Sequence, residues 1–478
     1  MPKMWNVYES FQALLEAGPY HLAFEGFLLV WVIWLLVAAK SRPRPIKLTK
    51  KEEEQLLAEW TPEPLLSSAP DPEHPALNTR TVKGKLGHYV DLGSGPLLNL
   101  ASHDYLRFSE HEGIETAALE CLHQYGVGSC GPRGFYGTTE VHLALEQRLA
   151  EFFQCESCVL YSYGFSTMAS AIPAYAKSGD VIFADEAVSF CIQRGLQASR
   201  SRIVYFRHND SGHLQQLLEQ QAIIDSKNPK KANATRRFLV VEGLYMNTGN
   251  ICRLPELVEL RHKYKLRLFI DESCAFGTLG PHGRGALDHF NIPMSEVDLI
   301  MGSLEYGGGS TGGFAAGTSF VVEHQRLNGL GYVFSASLPP LLAAAAKQML
   351  EILEAEAKDL VPTLQHRASQ LHSGLAVALP AKMCVSGSVI SPIKHVAFKP
   401  SSGLTVKQQE SALHRIVQEV EQRGVAVVVA SLLRSKEVCP PPPSIRLVVN
   451  VRLTDAEITT AITAVADACA AVIEAEAL

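Results

Sequence analysis

Three short stretches of this chain carry residues whose types and spacing could do chemistry. "MGSLEYGGGSTGGF" (Met301–Phe314) runs from apolar residues through small ones into a glycine-rich turn. That is how a strand delivers a reactive side chain into a cofactor cleft. The side chains at the turn, however, are Glu305 and Tyr306, and neither can form an imine with an aldehyde. "FIDES" (Phe269–Ser273) puts Asp271 at the end of an apolar run. A carboxylate there can hold a pyridinium nitrogen protonated, although on this residue alone an Asp that caps the next helix or binds backbone amides is the simpler reading. "YSYGFST" (Tyr161–Thr167) sets Gly164, Ser166 and Thr167 where backbone N–H groups and hydroxyls could meet a phosphate at a helix N-terminus. Such turns also serve as plain connections.

These stretches need elements to hold them. Apolar, β-branched runs occur at Cys158–Tyr161, Val181–Ala184, Ile203–Phe206, Phe238–Val241, Leu266–Ile270, Leu299–Met301 and Ser319–Val322. Helical spacing lies between many of them, as in Leu214–Gln221 and Pro255–Lys265. Alternation of this kind predicts an α/β fold with a mostly parallel sheet covered on both faces, and ligands at the carboxyl ends of its strands. After Pro339-Pro340 a long helix is expected. A strand over Ser444–Val451 and a helix from about Asp455 then complete a smaller α+β domain. The expected divisions are 1–45, 46–75, 76–145, 146–340 and 341–478.

The N-terminus differs from the rest. "LAFEGFLLVWVIWLLVAA" (Leu22–Ala39) is apolar except for Glu25 and ends against Lys40, Arg42, Arg44 and Lys47. A bilayer takes about 20 apolar residues in a helix, so the run is just long enough to span. Its charges follow the apolar run, opposite to a signal peptide, and predict a short lumenal N-terminus and a cytosolic body. An interfacial or buried helix is the alternative. Thr49 and Glu52 fit a capping box, and Pro62, Pro64, Pro70, Pro72 and Pro75 an extended linker.

Over 478 residues the formal net charge is −6, with no basic stripe of the kind nucleic acid requires. The ten cysteines follow no disulfide framework, and Cys155 and Cys158 read as reduced structural thiols.

Together with "GPRGFYGT" (Gly131–Thr138), Arg236–Leu260 and "FSASLPPLLAAAA" (Phe334–Ala346), the three stretches resemble the α-oxoamine synthases. These are fold-type I pyridoxal-phosphate enzymes that join an amino acid to an acyl-CoA. The N-terminal span and "EWTPEPL" (Glu59–Leu65) resemble the membrane-bound serine palmitoyltransferase branch, which makes 3-ketosphinganine on the endoplasmic reticulum. The resemblance places Tyr306 at the Schiff-base lysine, and Ser189 and Cys274 at two family histidines. Asp271 is retained. No lysine occurs from Leu266 through Ala346 that could substitute. The resemblance therefore implies a pocket without catalytic residues of its own, in which Asp271 is vestigial.

It also implies a partner, a homologous subunit that carries the lysine and holds pyridoxal phosphate covalently, since family active sites lie at dimer interfaces. Ser335 and Ser337 are implied to reach the partner's phosphate, with a strand-to-helix cap as the alternative. Cys130, Arg133 and Tyr136 are implied to support the partner's site and substrate entrance, an interface salt bridge being the alternative for Arg133. Asp104 stands where relatives carry an asparagine, and a charge there would repel a substrate carboxylate. Further implied partners are the lipid bilayer and small regulatory membrane subunits. Two other readings remain open on the residues: a catalytically dead membrane scaffold, and a lysine-independent enzyme holding cofactor through Asp271.

Overall fold

A computed structural model describes residues 18–40, 48–65, 77, 79–430, 434 and 436–476. Arg42, Arg44, Lys47, Pro70, Pro72 and Pro75 lie outside the described residues, so the expected basic flank and most of the linker are not placed. The chain forms two units, Met1–Thr79 and Arg80–Leu478.

In the first unit the apolar run is one helix, Pro19–Lys40, of 22 residues. At 1.5 Å per residue it is about 33 Å long, enough for a hydrocarbon core of about 30 Å. Its large apolar side chains, Trp31 and Trp34 among them, are exposed. Glu25, the one acidic residue of the run, pairs with His21 one turn earlier at 3.1 Å. A second helix, Lys50–Glu59, opens on the expected capping box. Thr49 N donates to Glu52 Oε2 at 2.8 Å, and Glu52 N donates to Thr49 Oγ1 at 3.3 Å.

The second unit is built on a seven-stranded sheet. Its strands are β3 (Ser157–Tyr161), β4 (Val181–Asp185), β5 (Arg202–Phe206), β6 (Arg237–Glu242), β7 (Arg267–Asp271), β8 (Leu299–Ser303) and β9 (Gly313–Gly317). They follow β1 (Tyr89–Asp91) and β2 (Pro96–Asn99). The spatial order is β3-β9-β8-β7-β6-β4-β5, parallel from β8 through β5, with β9 antiparallel to both its neighbours. Helices cover the faces, so the central strands β4, β6, β7 and β8 are buried on both sides and read as nearly continuous apolar runs, whereas the edge strand β5 is only partly buried.

The last strand departs from the sequence expectation. Ser319–Val322 is not a strand: it begins the helix Ser319–Asn328, whose Val321 N donates to the capping Thr318 Oγ1 at 3.4 Å. The strand is the preceding Gly-Ala segment, β9. Its small residues hid it, because strand propensity mostly reports how side chains fit their neighbours. Here the fit is tight, since Gly302 of β8 lies opposite Phe314 and a Cβ on it would overlap the Phe314 ring.

The remaining strands are β10 (Met383–Ser386), β11 (Ile393–Phe398), β12 (Val425–Ala426), β13 (Val428–Val429) and β14 (Ile445–Val448). They form an antiparallel sheet β10-β11-β14-β13, while β12 joins β2 and β1. The segment ahead of the large sheet is therefore tied to the C-terminal part by β2–β12 pairing. A 39-residue helix, Pro340–Ala378, joins the two parts and buries Met349, Leu353, Leu364 and Leu371. The closing helix Asp455–Ala475 is also long and apolar, but it buries Ile458, Val465 and Val472 in this unit and reads as a core helix.

Candidate functional site

The carboxyl ends of β4, β6, β7 and β8 meet the start of the helix Gly164–Tyr175 around a cavity of about 80 Å³. Among its lining residues are Gly164, Ser189, Glu242, Asp271, Cys274 and Tyr306. The sheet thus brings together Ser189, Asp271, Cys274 and Tyr306, which lie far apart in the sequence.

Asp271 ends β7 and is buried. Its Oδ1 accepts from Ser273 N at 2.8 Å and from Ser273 Oγ at 2.5 Å, so it binds a backbone amide in a turn, as the simpler reading allowed, and caps no helix, the next one starting only at Ala286. Beside it in register stands Glu242, the last residue of β6. Glu242 accepts from Ser189 N and, at 3.0 Å, from Met246 N. Burial raises both carboxyls above their ordinary range, and for Glu242 the neighbouring Asp271 charge adds to the rise. The sequence reading missed Glu242. It carries the same signal as Asp271, a carboxylate closing an apolar strand.

Tyr306 leans its ring against His103, centroids 4.8 Å apart, and His103 Nδ1 lies 2.8 Å from Tyr105 Oη. Burial pushes the Tyr306 phenol up, so it stays protonated at any physiological pH. Ser189 Oγ lies 3.0 Å from Cys191 Sγ, and Cys274 is a buried thiol raised by burial. Among the described residues no amine lines the cavity.

The "YSYGFST" hydroxyls are committed elsewhere. Ser162 donates to Ala336 O, and Ser166 and Thr167 both donate to Tyr163 O, at 2.9 and 3.1 Å. Thr167 is fully buried. The expected hydroxyl contribution to a phosphate cradle is therefore not made. Asp104 does not face the cavity as a bare charge either. Phe108 N donates to its Oδ1 at 3.1 Å, Ser109 Oγ donates to Oδ2, and Arg107 Nη1 stands 3.5 Å away. These partners engage both carboxylate oxygens, and Arg107 is shared with Glu110, 2.6 Å away.

Taken together, these residues do not fit pyridoxal phosphate. Small-molecule sites run from roughly 300 Å³ upward, the cavity is far smaller, and the position that would need an amine holds a phenol.

The other two stretches form a clasp away from this cavity. Gly131 O accepts from Ser337 N and Ser337 Oγ, each at 3.0 Å, and Ser129 Oγ donates to Ser337 O at 2.9 Å. His142 Nε2 lies 2.6 Å from Leu338 O. Ser337 is buried in this contact, whereas Ser335 is half-buried. Cys130 and Tyr136 adopt left-handed backbone conformations, φ 60° and 64°, and both are exposed, Tyr136 fully.

Arg133 does not stand free at an entrance. It is buried within its own chain, its Nη1 2.8 Å from Glu146 Oε1 and its Nε donating to Thr138 Oγ1 at 2.9 Å. Arg326 completes the pair from the other side, Nη2 3.0 Å from Glu146 Oε2. Arg133 Nη2 has no hydrogen-bond partner among the described residues.

Residues 95–465 match the family described as aminotransferase class I and II. Serine palmitoyltransferase 1 of Dictyostelium discoideum is 38% identical over 457 residues, 95% of this chain and 94% of that protein. Long chain base biosynthesis protein 1 of Arabidopsis thaliana is 37% identical over 438 residues, 92% of this chain and 89% of that protein. A solved serine palmitoyltransferase with its PLP internal aldimine superposes with a TM-score of 0.73 at 24% identity, covering 83% of this chain and 93% of its own. At that identity the likeness is one of fold.

Proposed function

Because the chain belongs to the class I and II aminotransferases, and within them to the serine palmitoyltransferase 1 family, we propose that it is the non-catalytic subunit of a heteromeric serine palmitoyltransferase. The complex condenses serine with palmitoyl-CoA to 3-ketosphinganine, the entry step of long-chain-base synthesis. Its chemistry belongs to a homologous, lysine-bearing subunit that holds the pyridoxal phosphate, and this chain completes that subunit's site. The observation that carries the reading is the cavity at the strand ends, closed to a cofactor and without an amine, inside an otherwise intact family fold.

Support for a partner comes from the clasp. Phe135, Tyr136, Phe165, Leu330 and Phe334 are exposed large apolar side chains. They sit on three segments joined by hydrogen bonds, Gly131 to Ser337, Ser162 to Ala336 and Ser170 to Gly331. Exposed apolar groups gathered in this way mark an interaction surface. The two left-handed, non-glycine residues of the Ser129–Gly137 loop add to this, because such strain persists only where surroundings over-determine it. Ser335, Ser337, Cys130, Tyr136 and Arg133 remain the residues we assign to supporting the partner's site, Arg133 by bracing the loop through Glu146.

The helix Pro19–Lys40 is assigned as a single span that places the body on the cytosolic face of the endoplasmic reticulum, next to small regulatory membrane subunits. Reconstitution tests the whole reading. Co-expression with a lysine-bearing homologue in membranes should give one co-purifying complex, with 3-ketosphinganine formed only when both chains are present. A partner whose activity is the same without this chain would favour the inert scaffold.

A further inference from the structure

The absence of an amine explains why no cofactor is held covalently, but not why the cavity has no room for one. The answer lies at the other residue of the turn, Glu305. The helix Gly164–Tyr175 is 12 residues long, no side chain of its N-cap residue closes its start, and the Ser166 and Thr167 hydroxyls turn back to Tyr163 O. Glu305 and Gly164 both line that cavity, and Glu305 is half-buried. Gly164 itself packs so closely on Ser303 that a Cβ there would overlap the serine side chain. Ser303 Oγ in turn accepts from Glu305 N at 3.1 Å, which fixes the Glu305 backbone just after β8, at the wall it shares with Gly164.

We propose that Glu305 is an internal plug, its carboxylate taking the place at the N-terminus of the helix Gly164–Tyr175 that a phosphate ester would need. This rests on the non-catalytic reading above and supplies its physical basis. A helix N-terminus attracts one anion through its free N–H groups and its dipole. Once a side-chain carboxylate is fixed there, a phosphate meets both an occupied donor set and a like charge. The titration of Glu305 agrees. Burial raises its pKa, while the Gly164 N–H and the Ser303 hydroxyl pull it back toward the charged form. With Tyr306 on the other side, the turn closes the pocket twice, once against the aldehyde end of a ligand and once against its phosphate.

Equilibrium dialysis of the intact two-chain complex tests this, with the partner already loaded and pyridoxine 5′-phosphate as probe. That probe has no aldehyde, so its binding is independent of any lysine. The wild-type complex should take up none beyond the partner's own cofactor. Glu305→Ala should take up one further equivalent, with affinity at least about tenfold above wild type. Glu305→Gln, equal in shape but uncharged, should gain less than Glu305→Ala but more than wild type. Melting temperature and co-purification report whether each variant is folded.

A further equivalent bound by wild type overturns the proposal, as does no gain in either folded variant. Should Glu305→Ala not fold, Glu305→Gln decides by the same criterion. Activity of the isolated wild-type chain would instead sink the non-catalytic reading while leaving the dialysis result to stand on its own.

Discussion

Glu242 and Asp271 sit side by side, buried, at the ends of adjacent strands, and both are held above the ordinary carboxyl range. The folded chain therefore keeps protons that the unfolded chain releases near pH 4–5 (roughly, for free carboxyls). Where the native state binds more protons, stability falls as pH rises. Their contribution is full in acid and is lost as pH climbs through the raised values. Glu242→Gln removes one titrating group but turns an amide N–H toward one of two backbone donors, Ser189 N or Met246 N. At about pH 5 the variant should be less stable by about 1–3 kcal/mol. By about pH 8 the gap should narrow, read as melting temperature against pH; a gap that widens with pH would contradict the raised pKa. At this scale the resemblance did much of the work. It implied that Tyr306, Ser189 and Cys274 stand at the lysine and histidine positions, and side-chain type then added only that a phenol, a hydroxyl or a thiol cannot replace an amine or an imidazole. Asp104 and Arg133 were not legible, because a charged letter in the sequence does not reveal the opposite charge that folding brings to it.

The glycine-rich turn is an element rather than a relic. It reverses the chain between β8 and β9, and that reversal sets the only antiparallel strand of the large sheet among the described residues between two parallel-running neighbours. Gly309 and Gly312, at φ 58° and 124°, take the left-handed conformations the reversal needs. This explains why the turn persists where its nucleophile does not. β9 was hidden because its residues are glycine and alanine, while the β-branched Val321 and Val322 nearby gave a false strand in what is a capped helix. The clasp was half-legible. Both loops could be singled out, but not their contact, which joins residues about 206 positions apart. Its tightness gives a prediction. A Cβ on Gly137 would overlap the Gly131 carbonyl and press on Ser337 Oγ. Gly137→Ala should cost about 1–3 kcal/mol of stability and lower the activity of the reconstituted complex without altering either subunit's expression. Unchanged activity at equal stability would detach the clasp from the partner's site.

The whole chain divides into a membrane-ready helix and a body whose fold is that of an enzyme. The broad architecture was legible: six of the seven expected strand runs fall on β3 through β8, and the N-terminal helix starts at Pro19, three residues before the apolar run. Less legible was the way the segment before the large sheet pairs with β12, since a two-residue strand leaves no periodicity to read. Within that architecture the cavity at the strand ends is small, about 80 Å³, and Phe135, Tyr136 and Phe334 on the clasp are exposed. On the proposed reading the chemistry belongs to a companion chain and the support to this one. Borohydride reduction followed by peptide mass spectrometry of the purified complex measures that division most directly. The account predicts a pyridoxyl adduct on the partner's lysine alone and no product from this chain by itself. A pyridoxyl adduct on any peptide of this chain, or 3-ketosphinganine formed by the chain in isolation, would contradict it.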